Sequence, residues 1–136
     1  MEPVETSVRV RYAETDQMGV VYYANYLIWM EVGRVEFCRA QGIRYRDMEE
    51  GDGILLVVAE ANCRYQAPAR YDDEVRISTT LAAATPRMVR FDYEFFDQVT
   101  GAPRAHGFTK HIFCDRTLRP TKLPEKYHAL FKMSPA

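Results

Sequence analysis

The chain has 136 residues, 47% hydrophobic and 12% aromatic, with a formal net charge of −1. That length suits one domain, 1–136, with a real buried core, and nine Tyr with seven Phe argue against disorder. Near-neutral charge excludes a general attraction to nucleic acid or to an anionic membrane, so any basic site for a polyanion has to be local.

The opening residues MEPVETSVRV hold no apolar signal core, and no apolar run approaches the ~18–20 residues of a membrane span. Cys38, Cys63 and Cys114 are odd in number, far apart and without CxxC spacing. That pattern speaks against a disulfide framework or zinc site and for reduced thiols. A soluble cytoplasmic protein, without membrane insertion, is expected.

In chain order, Val8, Val10 and Tyr12 alternate with Arg9 and Arg11, the mark of a half-buried strand. A turn over Ala13 to Gly19 follows. From Asn25 the pattern becomes helical: Tyr26 to Met30 is apolar without interruption, and Val32, Val35, Phe37, Cys38 and Ala40 carry it to Gly42. Asn25 suits an N-cap and Gly42 the C′ position. A helix apolar on all sides in its first half should be wrapped by other structure.

The remaining chain supplies the wrapping. Ile54 to Gln66 is β-rich and ends at Pro68; Val75, Ile77, Thr79, Leu81 and Ala83 alternate as far as Thr85-Pro86. Val89, Phe91, Tyr93 and Phe95 form the clearest period-2 stripe, and another strand spans about Arg104 to Cys114. Pro124 suits a first helical position, with Tyr127, Leu130 and Phe131 as a short apolar stripe. Short turns between successive strands favour antiparallel pairing. The expected architecture is α+β, one long helix against a twisted antiparallel sheet. Strands near ten residues long leave an edge that invites a second copy.

The segment YAETDQMGVVYYANYLIWMEVGR, from Tyr12 to Arg34, carries most of the functional signal. It sets Asp16 in a turn with Gly19, just ahead of the helix. The first N–H groups of a helix lack intrahelical partners and can hold a developing oxyanion. A carboxylate facing them acts as base or nucleophile. Asp16 also suits a plain turn former, since Asp side chains bond nearby backbone groups. Glu14 is a competing carboxylate two residues earlier.

The run D-x-x-G-V-V-Y-x-x-N-Y, Asp16 to Tyr26, resembles the hotdog-fold acyl-CoA thioesterases of the 4-hydroxybenzoyl-CoA and Tol-Pal-associated group. So does nearly the whole domain, from Val8 to GFTKHIFCDRTLRPTKLP (Gly107–Pro124). The resemblance implies a hotdog fold, a five-stranded antiparallel sheet wrapped around a long central helix. It implies a homodimer or dimer of dimers with shared active sites, hydrolysing an acyl-CoA to free acid and CoA. The family's catalytic Asp falls on Asp16, its glycine and apolar pair on Gly19, Val20 and Val21, its helix-starting pair on Asn25 and Tyr26, and its helix glutamate on Glu31. Many Tol-Pal-associated enzymes carry His where this chain has Tyr23. The 4-hydroxybenzoyl-CoA branch resembles the chain there, which implies that the Tyr23 backbone N–H polarises the thioester carbonyl. Tyr at this position removes a His side-chain acid and leaves the backbone donor.

Met18, Val21, Tyr22, Tyr26 and Trp29 are candidate walls for an aromatic or short to medium aliphatic acyl group. Tyr12 suits either a hydrogen bond near Asp16 or the strand core. For the CoA phosphates the candidates are Arg64, Arg70, Arg87, Arg90, Lys110, Arg116 and Arg119, with Arg87 favoured by the resemblance. No cofactor is implied beyond the CoA of the substrate. His106 and His111, five apart on a strand, should point to opposite faces, which disfavours a two-His metal site. No Ser-His-Asp order or G-x-S-x-G elbow occurs, and Cys38 reads as a buried apolar residue. The alternative reading is a non-hydrolytic acyl-CoA or acyl-carrier-protein binding module on the same fold; a scaffolding dimer is a third.

Overall fold

The computed structural model describes residues 2–131. Five strands form one antiparallel sheet: β1 (Val4–Arg9), β2 (Leu55–Tyr65), β3 (Glu74–Ala84), β4 (Met88–Asp97) and β5 (Pro103–Cys114), in the spatial order β1-β3-β4-β5-β2. The long helix α1 (Asn25–Ala40) lies across one face, and a single-turn-and-a-half helix α2 (Tyr45–Glu50), absent from the sequence expectations, follows it.

Alternation decides which face meets the helix. Val89, Phe91, Tyr93 and Phe95 of β4 are all buried, as are Val75 and Ile77 of β3. From α1 come Tyr26, Trp29, Met30, Gly33 and Phe37, spaced at three or four residues so that they share one stripe. Edge-on aromatic pairs, Tyr26 with Phe95 and Phe37 with Phe91, tie the two layers together along the helix. At Gly33 the layers come so close that a Cβ would lie 2.4 Å from Thr79 Oγ1, so only glycine fits there.

The helix is not buried all round. Leu27 and Ile28, in its first two turns, are 42% and 55% exposed. A single sheet covers only one side of a helix, and β2, at the sheet's edge, scarcely reaches round it. β2 is itself exposed from Val58 to Asn62 and carries a bulge between Val58 and Glu60. Two surfaces are thus left unpartnered, the outer face of α1 around Leu27 and Ile28 and an eleven-residue free edge.

Two terminal expectations need correction. β1 ends at Arg9, and Tyr12 opens a 3-10 turn (Tyr12–Glu14) with its ring 74% exposed and stacked on Tyr71 at 3.8 Å. The strand stops because Arg9 already meets the start of β3 at Glu74. At the other end, Pro124 is a cap and the helix is only a 3-10 turn, Glu125–Tyr127. Lys126 and Tyr127 bind Asp52; of the expected stripe Tyr127 and Phe131 are buried and Leu130 is partly buried, with Leu123 buried beside them.

A polar chain crosses the interior between α1 and the sheet. Arg34 Nη1 donates to the Tyr93 hydroxyl at 3.4 Å, that hydroxyl lies 2.6 Å from Thr109 Oγ1, and His111 Nε2 lies 2.8 Å from the same Thr109 oxygen. His106 is exposed and His111 fully buried, on opposite faces of β5. Burial, aided by the nearby Arg34 charge, pushes the His111 imidazole down from 6.5 to about 4. The unfolded chain therefore takes up this proton at a higher pH than the folded chain does. The stability His111 contributes is complete above about 6.5 and is lost as pH falls towards about 4. That loss is on the order of 3 kcal/mol. Urea unfolding at a series of pH values should show this fall in the wild type, and a His111→Leu variant should flatten it over the same window.

Candidate active site

Between β1 and α1 the chain makes a small hairpin. Thr15 bridges to Val21, and Asp16 N–H donates to Val20 O at 2.9 Å. Gly19 N–H returns to Asp16 O at 2.9 Å, and Gly19 has φ +79°, the left-handed conformation that such a tip demands. Val21 N–H reaches Ala69 O at 2.8 Å, docking the hairpin on the segment after β2.

Glu14 anchors this hairpin to the helix. Its carboxylate accepts from the Arg11 amide and the Trp29 indole, both at 2.9 Å, and from Arg11 Nε at 3.4 Å. Its carbonyl accepts from Tyr22 N–H at 2.8 Å and Asn25 Nδ2 at 2.9 Å. Burial alone would raise the Glu14 carboxyl, but the Arg11 amide, the Trp29 indole and the Arg11 guanidinium outweigh it and hold the group below its ordinary value. Glu14 is thus an ionised anchor facing inward, as Asp16 faces the cleft. Trp29 points the same way, so it belongs to the core and not to a pocket wall.

Asp16 Oδ1 accepts from Met18 N–H at 2.9 Å, the turn-forming bond expected of Asp at such a position. Its second oxygen takes no hydrogen bond from the described residues. The carboxylate opens on a cleft of about 330 Å³. Met18, Val20, Val21, Tyr23 and Tyr26 line one side of that cleft, and Tyr65, Gln66, Ala67 and Pro68 close the other. Tyr22, expected as a wall, does not line the cleft; it is exposed, its ring 4.6 Å from that of Tyr23. The Tyr23 hydroxyl raises the Tyr22 phenol, with a smaller push from the Asp16 charge.

The helix start differs from the expectation in a way that matters. Ala24, not Asn25, is the N-cap, and Asn25 is the first helical residue with its side chain turned back to Glu14. The first bonds are short-range: Asn25 N–H to Tyr22 O, Tyr26 N–H to Tyr23 O and Leu27 N–H to Ala24 O. Tyr23 and Ala24 N–H therefore donate to no described residue. These are the unpaired donors, one and two positions ahead of where a cap at Asn25 would put them.

Arg87 does not reach the cleft. It sits at the β3–β4 turn beside Met88, which pairs with Ile112, whereas Tyr26 packs on Phe95. Eight residues of extended strand separate the two ends, roughly 25 Å. None of the basic residues considered for the CoA phosphates lines the cleft. Arg90 pairs with Asp92, Lys110 with Glu60, and Arg116 caps Glu50 O. Glu31 is exposed on the outer side of α1. A larger hollow, about 640 Å³, lies chiefly on the sheet face away from α1, among the paired charges of Arg90 and Asp92. It lacks a carboxylate set against helix amides, so the smaller cleft is the candidate site.

Tyr65 was not legible as a site residue. Its hydroxyl donates to Tyr23 O at 3.0 Å, across 42 positions of sequence. Only the pairing of β2 with β5 brings the end of that strand over the helix start.

The model of the thioesterase-like superfamily matches residues 10–131. The chain belongs to that superfamily. YneP of Bacillus subtilis (strain 168), provisionally named an acyl-CoA thioesterase, is 41% identical over 116 residues, covering 85% of this chain and 83% of its own. A DHNA-CoA thioesterase from Staphylococcus aureus superposes with a TM-score of 0.92 at 31% identity, over 97% of this chain and 90% of that one. A 4-hydroxybenzoyl-CoA thioesterase variant solved with 4-hydroxybenzoyl-CoA superposes at 0.86 over 96% of this chain and 99% of its own. At 18% identity that likeness bears on fold alone. The five-stranded antiparallel sheet with its long helix is the hotdog fold that the sequence led us to expect.

The anchor is open to a direct test. Removing a buried ionised acceptor that three donors share should cost about 2–4 kcal/mol. Glu14→Ala is expected to lower the unfolding free energy extrapolated from urea titration by that amount, and Trp29→Phe, which removes one of the donors, by less.

Proposed function

We propose that this chain is an acyl-CoA thioesterase, hydrolysing an acyl-CoA to the free acid and CoA. One observation carries the reading: Asp16, with one oxygen free, and Tyr23, with an unpaired N–H ahead of α1, line the same apolar cleft. In this reading a thioester carbonyl enters with its oxygen on the Tyr23 N–H, where the positive end of a sixteen-residue helix favours negative charge. Asp16 either takes the proton of a water that attacks the carbonyl carbon or attacks that carbon itself. The tetrahedral oxyanion collapses, the C–S bond breaks and the CoA thiolate leaves. Protonation of the thiolate and release of the acid complete the turnover; in the covalent variant, water first cleaves the acyl-aspartate anhydride.

The walls offered by Met18, Val20, Val21, Tyr26 and Pro68 suit an aromatic or short to medium aliphatic acyl group, and the Staphylococcus aureus relative is named for an aryl-CoA. Tyr23 in place of His leaves the backbone donor intact and removes a side-chain acid, which favours an Asp-only mechanism. Asp16→Asn should lower kcat by about 10²–10⁴, the range for a lost general base, with the circular dichroism spectrum unchanged. Thiol release from a panel of aryl- and alkyl-CoA substrates measures this. Binding across the panel without wild-type turnover would favour the non-hydrolytic module instead.

A dimer belongs to the same proposal. The free edge of β2 and the exposed Leu27 and Ile28 ask for a second copy. Antiparallel pairing of two β2 strands would set the β3–β4 turn of one copy, with Arg87, beyond the Tyr65 end of the other. Arg87 would then meet the CoA bound by the opposite copy. The setting fits a cytoplasmic enzyme, with three free cysteines and no described helix long and apolar enough to cross a membrane. Sedimentation equilibrium is expected to give a dimer or tetramer of the 15.8 kDa chain, and Leu27→Glu with Ile28→Glu to shift it towards the monomer with loss of turnover.

A further inference from the structure

We propose that Tyr65 is a positioning residue for the oxyanion-binding backbone, its phenol holding the Tyr23–Ala24 peptide so that the Ala24 N–H joins the Tyr23 N–H as a second donor. The inference rests on the thioesterase reading above and extends it to a residue on a different element.

Tyr23 C=O and Ala24 N–H are the two ends of one planar unit. A donor fixed on the carbonyl therefore sets the direction of the amide, and also polarises it. The helix itself grips that carbonyl weakly, through Tyr26 N–H at 3.3 Å. The Tyr65 hydroxyl, at 3.0 Å, is the shorter of its two bonds. Without it, the peptide at the very start of α1 would be held from one side only.

Tyr65 is in turn well fixed. Its ring meets Tyr26 edge-on at 5.3 Å and Tyr23 at 6.3 Å. Its backbone is paired with Ala105 at the last rung of β2. Desolvation, followed by the neighbouring Cys63, raises its phenol, so the hydroxyl remains a donor throughout the neutral range. The same side chain lines the cleft, and a simple wall role would depend on the ring alone. Tyr65→Phe separates the two, because it keeps the ring and removes the bond.

The test compares wild type, Tyr65→Phe and Asp16→Asn on benzoyl-CoA and hexanoyl-CoA, using the faster of the two for kinetics. The expected result for Tyr65→Phe is a kcat about tenfold lower with KM within about twofold, an order below the loss of a whole oxyanion donor. Its melting temperature should match that of the wild type. An unchanged kcat overturns the inference, as does a fall in kcat that tracks a fall in melting temperature. A second readout does not depend on turnover. The carbonyl stretch of benzoyl-CoA bound to Asp16→Asn should move back towards its free value in the Asp16→Asn, Tyr65→Phe double variant, and an identical frequency also overturns it. If the wild type hydrolyses neither compound, the thioesterase reading falls and takes this inference with it; wild-type turnover with an unaffected Tyr65→Phe removes the inference alone.

Discussion

The buried carboxylate of Glu14 is the constraint on which the rest of the site depends. It is one of very few charged groups inside, and it persists because the Arg11 amide, the Trp29 indole and the Arg11 guanidinium satisfy it together. Trp29 is held on α1 by packing against Tyr26 and Phe95. Glu14 is held by Arg11, two residues past the end of β1. The bond between them therefore fixes the hairpin, and with it Asp16, relative to the helix start. Two further bonds, to the Glu14 carbonyl from Tyr22 N–H and Asn25 Nδ2, fix the same relation from the backbone side. A chain with Asp16 in place and this anchor missing would keep the carboxylate proposed for catalysis without the geometry.

Much of this was written in the residues. The stripe Val89, Phe91, Tyr93, Phe95 pointed to a strand with one buried face, and the helix ending at Ala40 was placed to within one residue at its start. These signals are local, because burial of one face imposes a period that neighbours in sequence reveal. Where the reading failed, the deciding contact was remote. Tyr12 continues the alternation of β1, yet the strand ends when β3 has no more partners to offer. Asn25 has the right side chain for a cap, but Glu14 O, eleven residues away, claims it. Leu27 and Ile28 read as core because apolar composition does not say how many layers are present to cover it.

Arg87 and Tyr65 show the same limit at the site. A turn arginine looks equally available to any ligand, and only sheet geometry reveals that strand length puts it at the wrong end of its own chain. Tyr65 carries the opposite lesson. It is one aromatic among many at a strand end, with no motif around it, and acquires its contact when β2 crosses the sheet to pair with β5. Strand order β1-β3-β4-β5-β2 is what converts an undistinguished tyrosine into a neighbour of the helix start.

Two readings of Asp16 competed at the outset, a turn former and an acid–base group, and the geometry makes them compatible. A carboxylate has two oxygens. Here Oδ1 is occupied by the Met18 amide, as turn chemistry requires, and this fixes the side-chain rotamer. The turn bond thereby aims the remaining oxygen instead of disabling the group. A freely rotating aspartate at an exposed tip would lose that direction to rotamer entropy and to water. Gly19, by letting the chain reverse with φ +79°, permits the short loop in which the Met18 amide can reach Oδ1 at all. The spacing D-x-x-G is then a physical requirement of the site: the glycine makes the turn, the turn holds one oxygen, and the other faces the cleft.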